Sequence, residues 1–318
     1  MTMPGAEHQH GFDVFGTRAR VLVRSAPGAA DAPLAALRVH ALMVRMHRAL
    51  TRFDAGSELS RLNGRAGETV VVSSTLLGAV QAALWAARRS DGLIDPTIIG
   101  ALERSGYAAS RAGMTPASLP LALTAAPARR PAAANRAAAW TGIEVDAAAS
   151  TVRLSRGVRI DLGGTAKGLA VDRAGELLAP FRAYAVDAGG DVRIGGSDSA
   201  PRRVDIAHPL QDGVAHRFSV VAGAVATSGL RSRTWRSGHG YAHHLIDPAR
   251  GTPAWTGVIQ ATALAPTALA AETLAKLALL RGPHAGRRIL AEYGGALILD
   301  DGELVLAGGL AAPRERAA

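Results

Sequence analysis

Apolar and polar residues alternate over 17–24 (TRARVLVR), which predicts a half-buried strand. Over 31–52 the apolar positions recur at helical spacing, with Leu37, Met43, Val44 and Leu50 marking one side. Asp31 supplies an N-cap there and Pro33 fits the first turn. Asp54 and Gly56 predict a turn, Ser57 opens a short helical turn, and 70–72 reads as a short strand. A further helix is expected over 74–90, with Leu76, Val80, Leu84 and Ala87 spaced for one face. The segment 92–100 reads as a loop entering another helix, with Asp95 before Pro96 as its N-cap signature. Residues 108–139 are rich in Ala, Pro and Arg without clear periodicity and read as a surface insertion.

The second half is richer in strands. Short strands are expected within 142–160, and a helix follows Lys167 to about Leu178. Residues 184–194 read as strand, glycine turn, strand, and several strands follow over 204–227. A polar, glycine-studded stretch occupies 228–253. Then come a strand over 258–265, a helix capped by Thr267 running to Arg281, and another from Pro283 to Tyr293. A hairpin turned by Asp301-Gly302 closes the pattern. Strands cluster without strict β-α-β alternation, so the expected class is α+β with antiparallel or mixed sheets. We expect a single domain over 12–308, with flexible tails at 1–11 and 309–318.

Composition narrows the function. With 318 residues, 48% hydrophobic content and a mean hydropathy of +0.12, the chain has ample material for a core. No window has the uncharged apolar length of a membrane span. The absence of cysteine removes disulfides and thiolate metal sites. No signal-peptide pattern occupies 1–15, so a cytoplasmic location is expected. The net charge of +10 is spread over scattered arginines, and aromatics are only 4%, which argues against nucleic acid and for a phosphate-bearing ligand or an acidic partner. His208, His216 and His239 show no metal-ligand spacing.

The chemistry concentrates in Asp161-Leu-Gly-Gly-Thr-Ala-Lys-Gly-Leu-Ala-Val-Asp172. The run 152–160 reads as a strand ending on Asp161; Gly163 and Gly164 turn the chain, and a helix begins near Lys167. Glycines let backbone N–H groups approach a ligand, and a helix N-terminus favours an anion. This is a phosphate cradle without the G-x-x-x-x-G-K-[ST] spacing. All but two of the 36 basic residues are arginine, the exceptions being Lys167 and Lys276. A lysine on that background marks a site that needs a compact ammonium.

Taken in order, the motifs resemble the ApbE family, the FAD:protein FMN transferases. They are Phe15-Gly-Thr17, Ser57-Glu-Leu-Ser-Arg-Leu-Asn63, Ile94-Asp-Pro-Thr97, Asp161-Leu-Gly-Gly-Thr-Ala-Lys-Gly168 with Asp172, Gly189-Gly-Asp191, Ser228-Gly229 and His244-Leu-Ile-Asp-Pro248. The resemblance implies an ApbE-like, T-fold-related architecture with an FAD cleft between two lobes. It implies transfer of the FMN half of FAD to a threonine hydroxyl of an acceptor protein, a redox protein in the usual family pattern. His244 is then the expected general base, and Lys167 part of the diphosphate cradle. Phe53 stands where many members stack a tyrosine on adenine. Phe15, Gly16, Ser57, Glu58, Asp95, Thr97, Asp161, Gly163, Gly164, Asp187, Gly189, Gly190, Ser228 and Gly229 are candidate cofactor-binding residues. His244 also has a structural reading, as a histidine bonded to Asp247.

The resemblance also implies a Mg²⁺ held by the carbonyl of Ala166 and by an Asp and a Thr four residues apart on the late helix. Those two positions are Glu272 and Lys276. Glu272 remains a candidate ligand, whereas a protonated lysine cannot bind a metal. We therefore expect Lys276, paired with Glu272, to occupy at least one cation position and to weaken the metal dependence. Two other activities remain open: hydrolysis of FAD to FMN and AMP, and FAD binding without catalysis.

Overall fold

The computed structural model describes residues 7–25, 31–198, 200–238 and 240–308. The expected tails at 1–6 and 309–318, and His239, lie outside the described residues. In chain order the strands are β1 (His8–Val14), β2 (Thr17–Arg24), β3 (Thr69–Val71), β4 (Glu144–Asp146), β5 (Thr151–Arg153), β6 (Ala183–Ala188), β7 (Asp191–Gly195), β8 (Arg202–Ala207) and β9 (Val214–Val220). They continue with β10 (Gly223–Gly229), β11 (Thr234–Ser237), β12 (Gly240–His243), β13 (Ile246–Asp247), β14 (Thr252–Pro253), β15 (Val258–Ala265), β16 (Gly295–Leu299) and β17 (Leu304–Ala307). The helices are α1 (Ala32–Leu50), α2 (Glu58–Gly64), α3 (Ser74–Arg89), α4 (Ile99–Arg104), α5 (Leu119–Thr124), α6 (Ala166–Leu178) and α7 (Ala268–Leu290).

One eight-stranded sheet, ordered β1-β2-β6-β7-β10-β15-β16-β17, organises the molecule, and its pairings are antiparallel. It gathers both ends of the described chain. Period-2 side-chain alternation divides its residues between two faces. Val21, Val186, Ala226 and Ala261 point to the face packed by α1, α6 and α7. Ala185, Ile194 and Val225 point the other way, against Ile206 and Phe218 of the β8–β9 hairpin. The α+β class expected from the clustered strands is therefore the observed one.

Local chemistry explains the elements that bear on the site. Ser57, Ser73 and Thr267 cap α2, α3 and α7 through their side-chain oxygens, and Asp31 does the same for α1. Gly282 (φ 78°) breaks α7, where two successive helices were expected. Phe15 (φ 54°) and Gly16 (φ 67°) form the two-residue turn between β1 and β2, both left-handed as a type I′ hairpin requires. A Cβ on Gly189 (φ 65°) would stand 2.2 Å from Thr17 Oγ1, so the turn from β6 to β7 closes against β2 only with glycine there.

Several expectations are corrected. Residues 8–11, assigned to a flexible tail, lie in β1, whose main-chain pairing with β2 outweighs its polar sequence. No strand reaches Asp161: β5 ends at Arg153, and the segment before the glycine turn is held by Asn63 instead. Asn63 Oδ1 accepts from Ile160 N at 2.8 Å, and its Nδ2 donates to Ile160 O at 2.9 Å. Asp95 is not a helix cap. Its Oδ1 accepts from Thr97 N at 2.7 Å and from Thr97 Oγ1 at 2.6 Å, while α4 begins after Ile98 without a side-chain cap. Leu37 faces solvent; the buried side of α1 is carried by Ala36, Val39, Met43 and Met46. The 108–139 segment is more than a surface insertion. It buries Leu119, Ala122 and Ala132, and donates main-chain bonds from Arg130 N to Trp255 O and from Ala132 N to Leu280 O.

Asp172, from the glycine-turn motif, has a structural task. Its carboxylate accepts from Ala268 N at 2.7 Å and from Leu269 N at 2.9 Å, capping α7 from α6. Asp172→Ala leaves these donors without an acceptor and is expected to lower stability by about 1–2 kcal/mol, read from urea unfolding.

Candidate active site

A cavity of about 360 Å³ opens where the N-terminus of α6, the side of α7, the β6–β7 turn and the segment after β12 meet. Of the residues singled out from the sequence, Phe15, Gly16, Phe53, Asp95, Asp161, Gly163, Gly164, Ala166, Lys167, Gly189, Ser228, Gly229, His244, Glu272 and Lys276 line it. They come from eight separate stretches of chain. Ser57, Glu58 and Thr97 do not line the cavity. Ser57 caps α2, Thr97 is bonded to Asp95, and Glu58 accepts from Ser73 N and Ser73 Oγ, both at 2.6 Å, tying α2 to α3. Asp187 and Gly190 line a groove of about 1110 Å³ on the other face of the sheet, where Asp187 Oδ1 accepts from Gly190 N at 3.0 Å. Neither histidine nor lysine lines that groove, whereas His244, Lys167 and Lys276 all line the smaller cavity.

Both lysines of the chain stand on the wall of the smaller cavity. Lys276 Nζ lies 2.7 Å from Glu272 Oε1, and Lys167 Nζ lies 3.4 Å from the same oxygen. Lys167 also pairs with Asp191 Oδ2, and Glu272 Oε2 accepts from Gly168 N at 2.9 Å. A Cβ on Gly168 would approach Glu272 Oε2 to 2.8 Å and Leu269 Cα to 2.9 Å, so glycine lets α6 and α7 come close enough for these contacts. Both carboxylates are 1% exposed, so their charges rest on the ammoniums for compensation. Burial pushes Asp191 up to about 6, with Lys167 opposing the rise. Burial also raises Glu272, but Lys276 and Lys167 outweigh it and hold that carboxyl below its ordinary value. For Lys167 burial pulls down, while Asp191 and Glu272 more than restore the ammonium.

His244 follows β12 and lines the cavity, while its neighbour His243 is buried on the opposite side against Trp255. The alternating direction of successive side chains separates them. His244 Nδ1 is buried without a partner among the described residues. Burial, then the positive charges of Arg233, Lys276 and Lys167, lower its pKa well below the ordinary histidine value, so the ring is neutral at pH 7. The structural reading of His244 fails, because Asp247 is committed elsewhere: Oδ1 accepts from Ala249 N at 3.0 Å and Ala133 N at 3.2 Å, and Oδ2 pairs with Arg250.

Burial sets His243 near 3. Unfolded, it takes a proton below about pH 6.5 that the native ring refuses, so stability is complete above that pH and falls as acid is added. The expected contribution is about 1.4 kcal/mol per pH unit between about pH 6 and pH 4. Urea unfolding of His243→Leu, compared with wild type, should show that slope removed.

Sequence reasoning missed the aromatic and arginine group at one end of the cavity. Arg52 Nε pairs with Asp161 Oδ2 at 2.6 Å, and its guanidinium lies 4.2 Å from the Phe53 ring centre and 5.0 Å from that of Tyr107. Arg233 donates to the Tyr107 hydroxyl and to Phe15 O. Asp161 Oδ1 accepts from Gly163 N at 2.8 Å, so one carboxylate fixes both the glycine turn and Arg52. No sequence signal joins residues 52, 107 and 233; the fold alone does.

Residues 15–299 match the ApbE family. The chain belongs to this family. The FAD:protein FMN transferase of Treponema pallidum (strain Nichols) is 30% identical over 302 residues, covering 89% of this chain and 81% of the relative. That of Vibrio cholerae serotype O1 is 28% identical over 286 residues, covering 86% and 81%. The crystal structure of the ApbE protein from Thermotoga maritima aligns with a TM-score of 0.78 at 26% identity, covering 95% of this chain and 97% of that one. The flavin transferase ApbE of Vibrio cholerae, at 22% identity, shares the fold with a TM-score of 0.73 over 95% of this chain and 98% of that one.

The Mg²⁺ implied by the ApbE resemblance does not fit the residues present. A magnesium ion takes oxygen ligands in near-octahedral geometry. Here Glu272 Oε1 faces two ammoniums, Glu272 Oε2 holds the Gly168 N–H, and Asp191 Oδ2 pairs with Lys167. Of these four carboxylate oxygens, Asp191 Oδ1 is the one without a partner among the described residues. Lys276 stands where a neutral hydroxyl ligand was expected.

Proposed function

We propose that the protein is an FAD:protein FMN transferase, which moves the FMN half of FAD to a threonine hydroxyl of an acceptor protein and releases AMP. One observation carries this reading: two ammoniums and a neutral, unpartnered imidazole share one cavity wall beside a glycine turn and a helix N-terminus. Phosphoryl transfer is mostly positioning and charge neutralisation, and this wall supplies both. The α6 N-terminus and Lys167 hold the diphosphate. Phe53, half exposed at the mouth, offers a ring face to the adenine. The threonine oxygen bonds to the FMN phosphorus, the bond from that phosphorus to the bridging oxygen breaks, and the electron pair leaves with AMP. His244 takes the hydroxyl proton. Because the bound diphosphate brings negative charge, it offsets Arg233, Lys276 and Lys167 and raises the proton affinity of the imidazole when it is needed.

The acceptor in this reading is a redox protein with a threonine-bearing FMN-binding domain. No described helix is long and apolar enough to cross a membrane; a cytoplasmic location is part of the proposal and is checked by cell fractionation. The activity is tested by incubating the purified chain with FAD, with and without such a domain. AMP released only with the acceptor, which gains the mass of FMN, is the expected result. AMP without acceptor would identify a pyrophosphatase instead, and no AMP in either case a binding protein.

A further inference from the structure

We infer that the Lys276 ammonium is the resident cation of this site, meeting the charge of the dinucleotide diphosphate so that binding and transfer proceed without a divalent metal. The inference rests on the transferase reading above and adds a statement about this chain's own residues. Lys276 lies one helical turn beyond Glu272 on α7, with its side chain 11% exposed and lining the cavity. Glu272 orients it at 2.7 Å while Gly168 N–H and Lys167 hold Glu272. An ammonium has three N–H donors, so bonding Glu272 leaves others for phosphate oxygens.

Charge supports the same assignment. Without Lys276, the buried cluster behind the wall would set the Glu272 and Asp191 carboxylates against one ammonium, a net negative charge that repels a diphosphate. With Lys276 the cluster is neutral, and Arg233 lines the same cavity. A divalent ion at Glu272 would have to displace Lys276 from its ion pair and would then sit beside two ammoniums, a repulsive arrangement in a site of low dielectric. As the phosphorus–oxygen bond breaks, the charge gathering on the AMP phosphate is met by Lys276.

The test is FAD binding, followed by flavin fluorescence, together with transfer to the acceptor domain, in excess EDTA and in excess Mg²⁺. Wild type is expected to bind and to transfer equally in both. Lys276→Met should weaken FAD binding in EDTA by about 10- to 100-fold, the weight of one charged hydrogen bond. The double exchange Glu272→Asp with Lys276→Thr removes the ammonium and frees ligand oxygens, so its binding should fail in EDTA and return with Mg²⁺. Wild-type binding that collapses in EDTA and is restored by Mg²⁺ overturns the inference while leaving the transferase reading intact. FAD binding by wild type in neither condition overturns both. The wild-type comparison needs no variant and decides the matter even if the exchanged chains fail to fold.

Discussion

His244→Ala is expected to reduce flavin transfer by about 10²- to 10⁴-fold, the usual weight of a positioned general base. FAD binding should change little, because the diphosphate is held mainly by the ammoniums and the α6 N-terminus. The wild-type pH profile gives a second readout. In the free protein, burial and then the charges of Arg233, Lys276 and Lys167 keep His244 neutral far below its ordinary value. The acid limb of kcat/KM for FAD therefore lies well below pH 6.5. In the loaded site the diphosphate raises the imidazole pKa, so the acid limb of kcat should lie at higher pH than that of kcat/KM. His47 also lines the cavity. If His244→Ala transfers flavin at the wild-type rate, the base lies elsewhere and His47 is the next residue to replace.

Lys167→Met is expected to cost about 3–5 kcal/mol of stability at neutral pH, the range for breaking a buried pair by removing one partner. Asp191 loses its paired ammonium and keeps only the more distant charge of Lys276, whereas Glu272 keeps Lys276 and the Gly168 N–H in direct contact. Against a total stability of roughly 5–15 kcal/mol, that loss is large. The sign of the pH dependence follows from Asp191. Its native pKa, already about 6 with Lys167 present, lies above the unfolded value and rises further without it. Protonation then relieves the uncompensated charge, so the deficit of the variant should shrink as pH falls toward about 6, where Asp191 of the wild type begins to take up its own proton, and level off below it. Urea unfolding at pH 7 and pH 5 measures this directly; equal midpoints for variant and wild type at pH 7 would remove Lys167 from the charge network. FAD binding should also weaken, because the same ammonium holds the diphosphate.

Local patterns made much of this molecule legible. The helix over Ser74–Arg89 buries Leu76, Val80, Leu84 and Ala87 as their spacing requires, and Val258–Ala265 is the strand its sequence indicates. Thr267 and Gly282 mark the start and the break of α7, because capping and left-handed backbone depend on single residue types. What escaped depends on partners distant in sequence. β1 is polar and becomes a strand only because β2 pairs with it along its whole length. Asp172 reads as part of a phosphate motif, yet its carboxylate faces the first N–H groups of a helix 96 and 97 residues further on. The motif containing Ser57, Glu58 and Asn63 acts one step removed from the cavity, its side chains fixing α2, α3 and the approach to the glycine turn. In the candidate site, Lys167 and Lys276 were visible as a residue type out of place on its background, and His244 and Glu272 through the family resemblance. Arg52, Tyr107 and Arg233 were not, since arginine is the commonplace cation of this chain.

The central claim is that a dinucleotide diphosphate lies against the glycine turn, between the lysine pair and His244. A crystal structure of the chain with FAD tests it most directly. The account places the diphosphate oxygens within hydrogen-bonding distance of Lys167 and Lys276, with the FMN phosphorus facing the His244 ring. A diphosphate lodged in the groove on the far side of the sheet, near Arg20 and Arg203, would contradict it.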